Sequence, residues 1–106
     1  MIETLLTVQR LVEAGDVRIS EHGYDEMAED GNRVRDVLAG VATATFLEDY
    51  PAFGKGPSVL VLQKDVAGPI HVVWGLPKGQ SRPAVVATAY RPDPDRWSSN
   101  FTERRK

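Results

Sequence analysis

Ile2, Leu5, Leu6, Val8, Leu11 and Val12 recur at helical spacing and stop at Ala14-Gly15-Asp16, so the pattern predicts an amphipathic helix over residues 2–14 with a glycine terminator. Val17-Arg18-Ile19 follows as a short link. Ser20 is then an N-cap for a second helix that reaches about Asp30, with Glu21 in its first turn, where the helix dipole favours a carboxylate, and Gly31-Asn32 at its end. Tyr24, Met27 and Ala28 form its apolar side. A third, shorter helix over 33–39 buries Val34, Val37 and Leu38 and stops at Gly40.

Beyond Gly40 the period changes. Residues 43–49, 58–64, 70–75 and 84–90 are rich in Val, Leu, Thr and aromatic side chains and are bounded by Gly or Pro clusters, which predicts four strands. Their connections, such as 65–68 and 75–83, are too short for parallel crossovers, so antiparallel pairing is expected. The layout is α+β: N-terminal helices packed on one face of a four-stranded, mainly antiparallel sheet. Pro92 and Pro94 carry the chain off the last strand, which puts the core at about 2–97 and makes 98–106 a flexible tail.

With 106 residues the chain is the size of one domain, and 42% hydrophobic against 26% charged side chains is the balance of a folded one. No apolar run is long enough to span a membrane, and the first residues, with Glu3 and Arg10 in an amphipathic pattern, do not read as a secretory leader. The absence of cysteine excludes disulfides and thiolate zinc sites. A cytoplasmic protein is the simplest reading. The formal charge of −2 hides an asymmetry: residues 1–77 hold 6 basic and 12 acidic side chains, and 78–106 hold 7 and 3. The basic end suits an anionic partner, or a protein of opposite pattern, while the acidic total opposes avid nucleic-acid binding without sequence preference.

Candidate chemistry begins with two histidines, His22 in the first turn of the second helix and His71 in the strand Pro69-Ile70-His71-Val72-Val73-Trp74. Brought together, they would serve as general base and general acid; apart, each is a structural hydrogen-bonding group. By the strand period, Ala84, Val86, Thr88 and Tyr90 share one face, so Thr88 and Tyr90 would converge with His71 if the register allowed it. Otherwise these are cross-strand packing residues. His22, Glu26 and Glu29 share one side of their helix, but no HExxH pattern accompanies them and no metal site is expected. Gly54-Lys55-Gly56-Pro57 lacks the further residues of a phosphate loop and reads as a hairpin connection. No cofactor motif is legible. Lys78, Arg82 and Arg91 flank the end of the sheet near Tyr90 as candidate phosphate binders.

Several short stretches combine in one order: His22 opening a helix, Met27 with Glu29 and Gly31, Leu38 to Gly40, Tyr50-Pro51, Pro69 to Val73, and Thr88-Ala89-Tyr90-Arg91-Pro92 followed by Trp97. From Ile19 to Trp97 the chain thereby resembles the bacterial domain of unknown function 4258 family. That family is similar to small toxins of the RelE and MqsR type, whose genes often lie beside antitoxin genes. The resemblance implies a RelE/barnase-like toxin layout and a metal-independent endoribonuclease with an RNA substrate and a cognate antitoxin. On that reading His22 or His71 takes the proton of a ribose 2′-hydroxyl, the other or Tyr90 protonates the leaving oxygen, and Arg91 with Lys78 or Arg82 stabilises the phosphate. Many members carry arginines in the helix after the histidine, where this chain has Glu26 and Asp30, carboxylates that repel an RNA backbone. The alternative is a protein- or ligand-binding module on the same fold, without catalysis.

Overall fold

The computed structural model describes residues 3–51 and 54–105. Helix α1 spans Glu3–Glu13, β1 Val17–Ile19, α2 Glu21–Glu29 and α3 Val34–Gly40. A single 3-10 turn, Val41–Thr43, leads into β2 Thr45–Tyr50, β3 Ser58–Asp65, β4 Gly68–Gly75 and β5 Ala84–Tyr90. Ile2, predicted to open the first helix, lies outside the described residues. None of the described helices is long and apolar enough to cross a membrane.

The fold is α+β, but its sheet has five strands and is mixed, in the order β1-β5-β4-β3-β2. The additional strand is Val17-Arg18-Ile19, read from the sequence as a link. It lies parallel to β5, with Val17 opposite Ala84 and Ile19 opposite Val86. Three residues are too few to display a period, and the partner that makes them a strand stands near the other end of the chain.

The helices cover one face of the sheet. Leu5 and Val8 of α1, Met27 of α2 and Val37 of α3 pack on Val59, Val61, Ile70, Val72, Trp74, Ala84, Val86 and Ala89. One polar side chain, Gln63, is buried among them and bonded at both ends: its Oε1 accepts from Trp74 Nε1 at 2.8 Å and its Nε2 donates to the carbonyl of Val37 at 2.8 Å. Gly40 belongs to this arrangement. It ends α3 in right-handed conformation (φ −70°), and a Cβ here would lie 2.7 Å from Gln63 Nε2. Glycine is needed for close approach, not as a left-handed terminator.

The face assignment predicted for β5 requires correction. His71 pairs with Tyr90 and Val73 with Thr88, but Trp74 pairs with Val86, so the register slips by one residue. The extra residue reverses the alternation. Ala84, Val86 and Ala89 therefore face the helices, while Thr88 and Tyr90 fall on the opposite face with His71 and Val73. A second shift, between Phe46 and Glu48, puts Glu48 and Tyr50 on that opposite face as well, paired with Leu60 and Ser58.

Residues 98–105, which the pattern places beyond the core, return across this second face. Trp97 is buried and bridges to Arg104; Ser98 N–H donates to the Glu103 carbonyl and Arg105 N–H to that of Arg96.

Candidate functional site

The second face divides into a covered half and an open half. His71 lies in the covered half and is fully buried. Its Nε2 is 2.8 Å from the carbonyl oxygen of Phe101 and its Nδ1 is 3.3 Å from the hydroxyl of Tyr90. A carbonyl only accepts, so Nε2 carries the hydrogen and Nδ1 accepts from Tyr90 in the neutral ring. The indole of Trp97 stands edge-on against this imidazole at 4.2 Å. Burial pushes the His71 pKa down, with the Phe101 carbonyl opposing, Arg104 lowering it further and Glu48 raising it. Burial likewise pushes the Tyr90 phenol up.

An ion pair latches the cover. Arg104 donates to both oxygens of Glu48, at 3.1 and 3.0 Å, and its guanidinium lies 4.7 Å from the Trp97 ring centroid. Glu48 also accepts from the Tyr50 hydroxyl. The Arg104 bond holds the Glu48 carboxyl below its ordinary range, while burial and the Glu48 bond push Tyr50 up to about 12.

The open half is a groove of about 860 Å³ beside the N-terminus of α2. Ser20 sets that helix in place: its hydroxyl accepts from Gly23 N–H at 2.9 Å, as the predicted N-cap, and donates to the Ala87 carbonyl at 2.9 Å, at the bulge of β5. Gly23 completes the seat, since a Cβ there would lie 2.9 Å from the Val86 carbonyl oxygen. So held, α2 brings Glu26 to β5, where its Oε1 accepts from the Thr88 hydroxyl. The same oxygen is 2.6 Å from His22 Nε2. His22 itself is largely exposed and lines the groove.

Lys55 and Lys78, from the β2–β3 and β4–β5 loops, line the same groove, as do Val73, Val85 and Ala87. The two lysine-bearing loops are joined by Lys78 N–H donating to the Lys55 carbonyl and Leu76 N–H to that of Pro57, both at 3.0 Å. Arg18, Glu21 and Asp25 also line the groove on the α2 side.

Of the residues singled out in the sequence, His22, Thr88 and Lys78 meet at the groove. His71 and Tyr90 touch each other on the same face, but under the C-terminal segment. Arg82 stands apart, paired with Asp16. Arg91 is consumed by the fold: it donates to both oxygens of Asp65 and to the carbonyls of Gly68 and Pro69, and its N–H donates to Asp30. Arg91 also holds the Asp65 carboxyl below its ordinary value. Arg18 and Lys55 were not selected from the sequence, because one reads as part of a link and the other as part of a hairpin loop. Among the described residues, no group of three or more His, Asp and Glu side chains is placed to hold a metal ion.

Residues 19–91 match the family described as Domain of unknown function (DUF4258). The chain belongs to this family. The DUF4258 portion runs from the end of β1 through β5 and so contains His22, Glu26, His71, Thr88 and Tyr90. Helix α1 and the segment that covers His71 lie outside it. No curated protein and no solved structure matches the chain.

Proposed function

We propose that this DUF4258 chain is a toxin-like, metal-independent endoribonuclease that takes single-stranded RNA into the groove between α2 and the lysine-bearing loops. The observation that carries the reading is the His22–Glu26–Thr88 series at a groove that Lys55 and Lys78 also line. Glu26 accepts from Nε2–H of His22 and so leaves Nδ1 with a free lone pair, the arrangement a general base requires. That nitrogen takes the proton of a ribose 2′-hydroxyl, the 2′ oxygen attacks phosphorus, and the bond to the 5′ oxygen breaks. The departing oxygen takes a proton from the ammonium group of Lys55 or Lys78, and the other lysine balances the phosphate charge. The associated partner is an antitoxin protein, and the compartment is the cytoplasm.

Two observations favour the alternative of a binding module. The polar atoms of His71 and Arg91 are spent inside the fold, and Glu21 and Asp25 set carboxylates beside His22. A fluorescent single-stranded RNA in EDTA separates the readings. Cleavage that falls at least roughly tenfold in His22→Ala, the low end for losing a general base, supports the nuclease. No cleavage by the parent between about pH 5 and 9, with RNA or a protein still retained by the groove, supports the binding module.

A further inference from the structure

The family match ends at Arg91, yet the next stretch is what hides the second histidine. We propose that residues 93–105 form an autoinhibitory strap over the second face, and that its release adds His71 and Tyr90 to the His22 groove; this rests on the RNA reading of that groove. Thr88 and Tyr90 stand two residues apart on one face of β5, with His22 reaching Thr88 through Glu26 and His71 touching Tyr90. The histidines thus lie along one continuous row, and the strap covers only its far end.

The strap's hold is polar at two of its three attachment points. One is the Phe101 carbonyl on His71, offered by a residue in left-handed conformation (φ 62°), an uncommon geometry for a bulky side chain. The other is Arg104 on Glu48. Glu48 also holds Tyr50, which lines the groove, so the latch and the groove wall share a carboxylate. The third point is apolar: Trp97, buried and edge-on against His71.

Once the Phe101 carbonyl leaves, Nε2 of His71 faces the groove side of the sheet. There it donates to the phosphate of the neighbouring nucleotide and lengthens the site along the strand, while His22 takes the 2′ proton and a groove lysine protonates the departing 5′ oxygen.

The test uses the full chain with the latch cut, as Arg104→Ala and separately as Glu48→Gln, each checked for cooperative unfolding. Diethyl pyrocarbonate modification of His71, followed by mass spectrometry, is compared with RNA cleavage. Modification about fivefold faster is expected, the scale for a bidentate surface pair acting on a local opening. Cleavage should rise with it, and His71→Gln added to either latch variant should abolish the rise. His71 modified no faster in either variant overturns the strap. Faster modification with unchanged cleavage, in a parent that cleaves through His22, overturns autoinhibition alone. Exposed His71 with no cleavage by any variant overturns the RNA reading and the strap's role together.

Discussion

The two faces of the sheet are made from the same strands and held by different physics. Toward the helices, Val59, Val61, Ile70, Val72, Trp74, Val86 and Ala89 are all nearly inaccessible to water, and the one amide among them is satisfied at both ends. On the other side Leu60 and Leu62 are buried as well, but they are accompanied by polar pairs, His71 with Tyr90, Thr88 with Glu26 and Tyr50 with Glu48, partly under a segment from outside the family portion and partly open to a groove. Burial of apolar area scales with surface and tolerates few alternatives, so the first face, which buries the larger apolar set, carries most of the stability. Hydrogen bonds exchanged for those with water contribute little net, so the second face is free to be rearranged and used.

The sharpest way to break this contrast is Trp74→Ala. Removing a fully buried indole should cost ~3–5 kcal/mol in urea unfolding, the range for large aromatic truncations. A much smaller loss would mean that the helix-covered face is not where stability resides. Gln63→Leu comes next. It strands the Trp74 N–H and the Val37 carbonyl, and a loss of about 2 kcal/mol is expected for two buried groups left without partners; a neutral result would show that water reaches them.

Acid titration sharpens the comparison from the other face. The folded pKa of His71 lies below the ordinary 6.5, chiefly through burial, so the unfolded chain binds this proton first. Stability should therefore fall as pH drops below about 6.5, and the fall should be shallower in His71→Gln. The paired carboxylates act later: Asp65 and Glu48 are held below ordinary values of 3.8 and 4.5, so their contribution is present above those values and lost only as pH falls through the lowered ones. Identical slopes for parent and variant between about pH 6.5 and 5 would remove His71 from the account. The smallest structural effect belongs to His22→Ala. Its exposed side chain should change unfolding by no more than about 0.5 kcal/mol, although cleavage should fall. A larger loss would make His22 part of the scaffold.

The legible parts of this molecule are those with local causes. The Ser20 cap, the helical period up to Gly40 and the limits of β5 follow from neighbours within a few residues, and the structure reproduces them. The short edge strand β1 was not legible, because its identity lies in its pairing with β5. The assignment of Thr88 to one face with Ala84 failed for a related reason. A bulge is set by how two strands fit together, and one inserted residue inverts all positions beyond it.

The candidate site separates along the same line. Chemical character is carried by single residues, so His22, Thr88 and Lys78 could be named from the sequence before their meeting at one groove was visible. Availability is a property of surroundings. Arg91 looked free until the turn around Asp65 and Gly68 closed on it, and His71 until Trp97 and Phe101 covered it. The sequence by itself determined which side chains can bury, cap or exchange a proton, because those are properties of the residue and its near neighbours. Only the tertiary structure decided which of them keep an open side, because every closing contact comes from a segment distant along the chain.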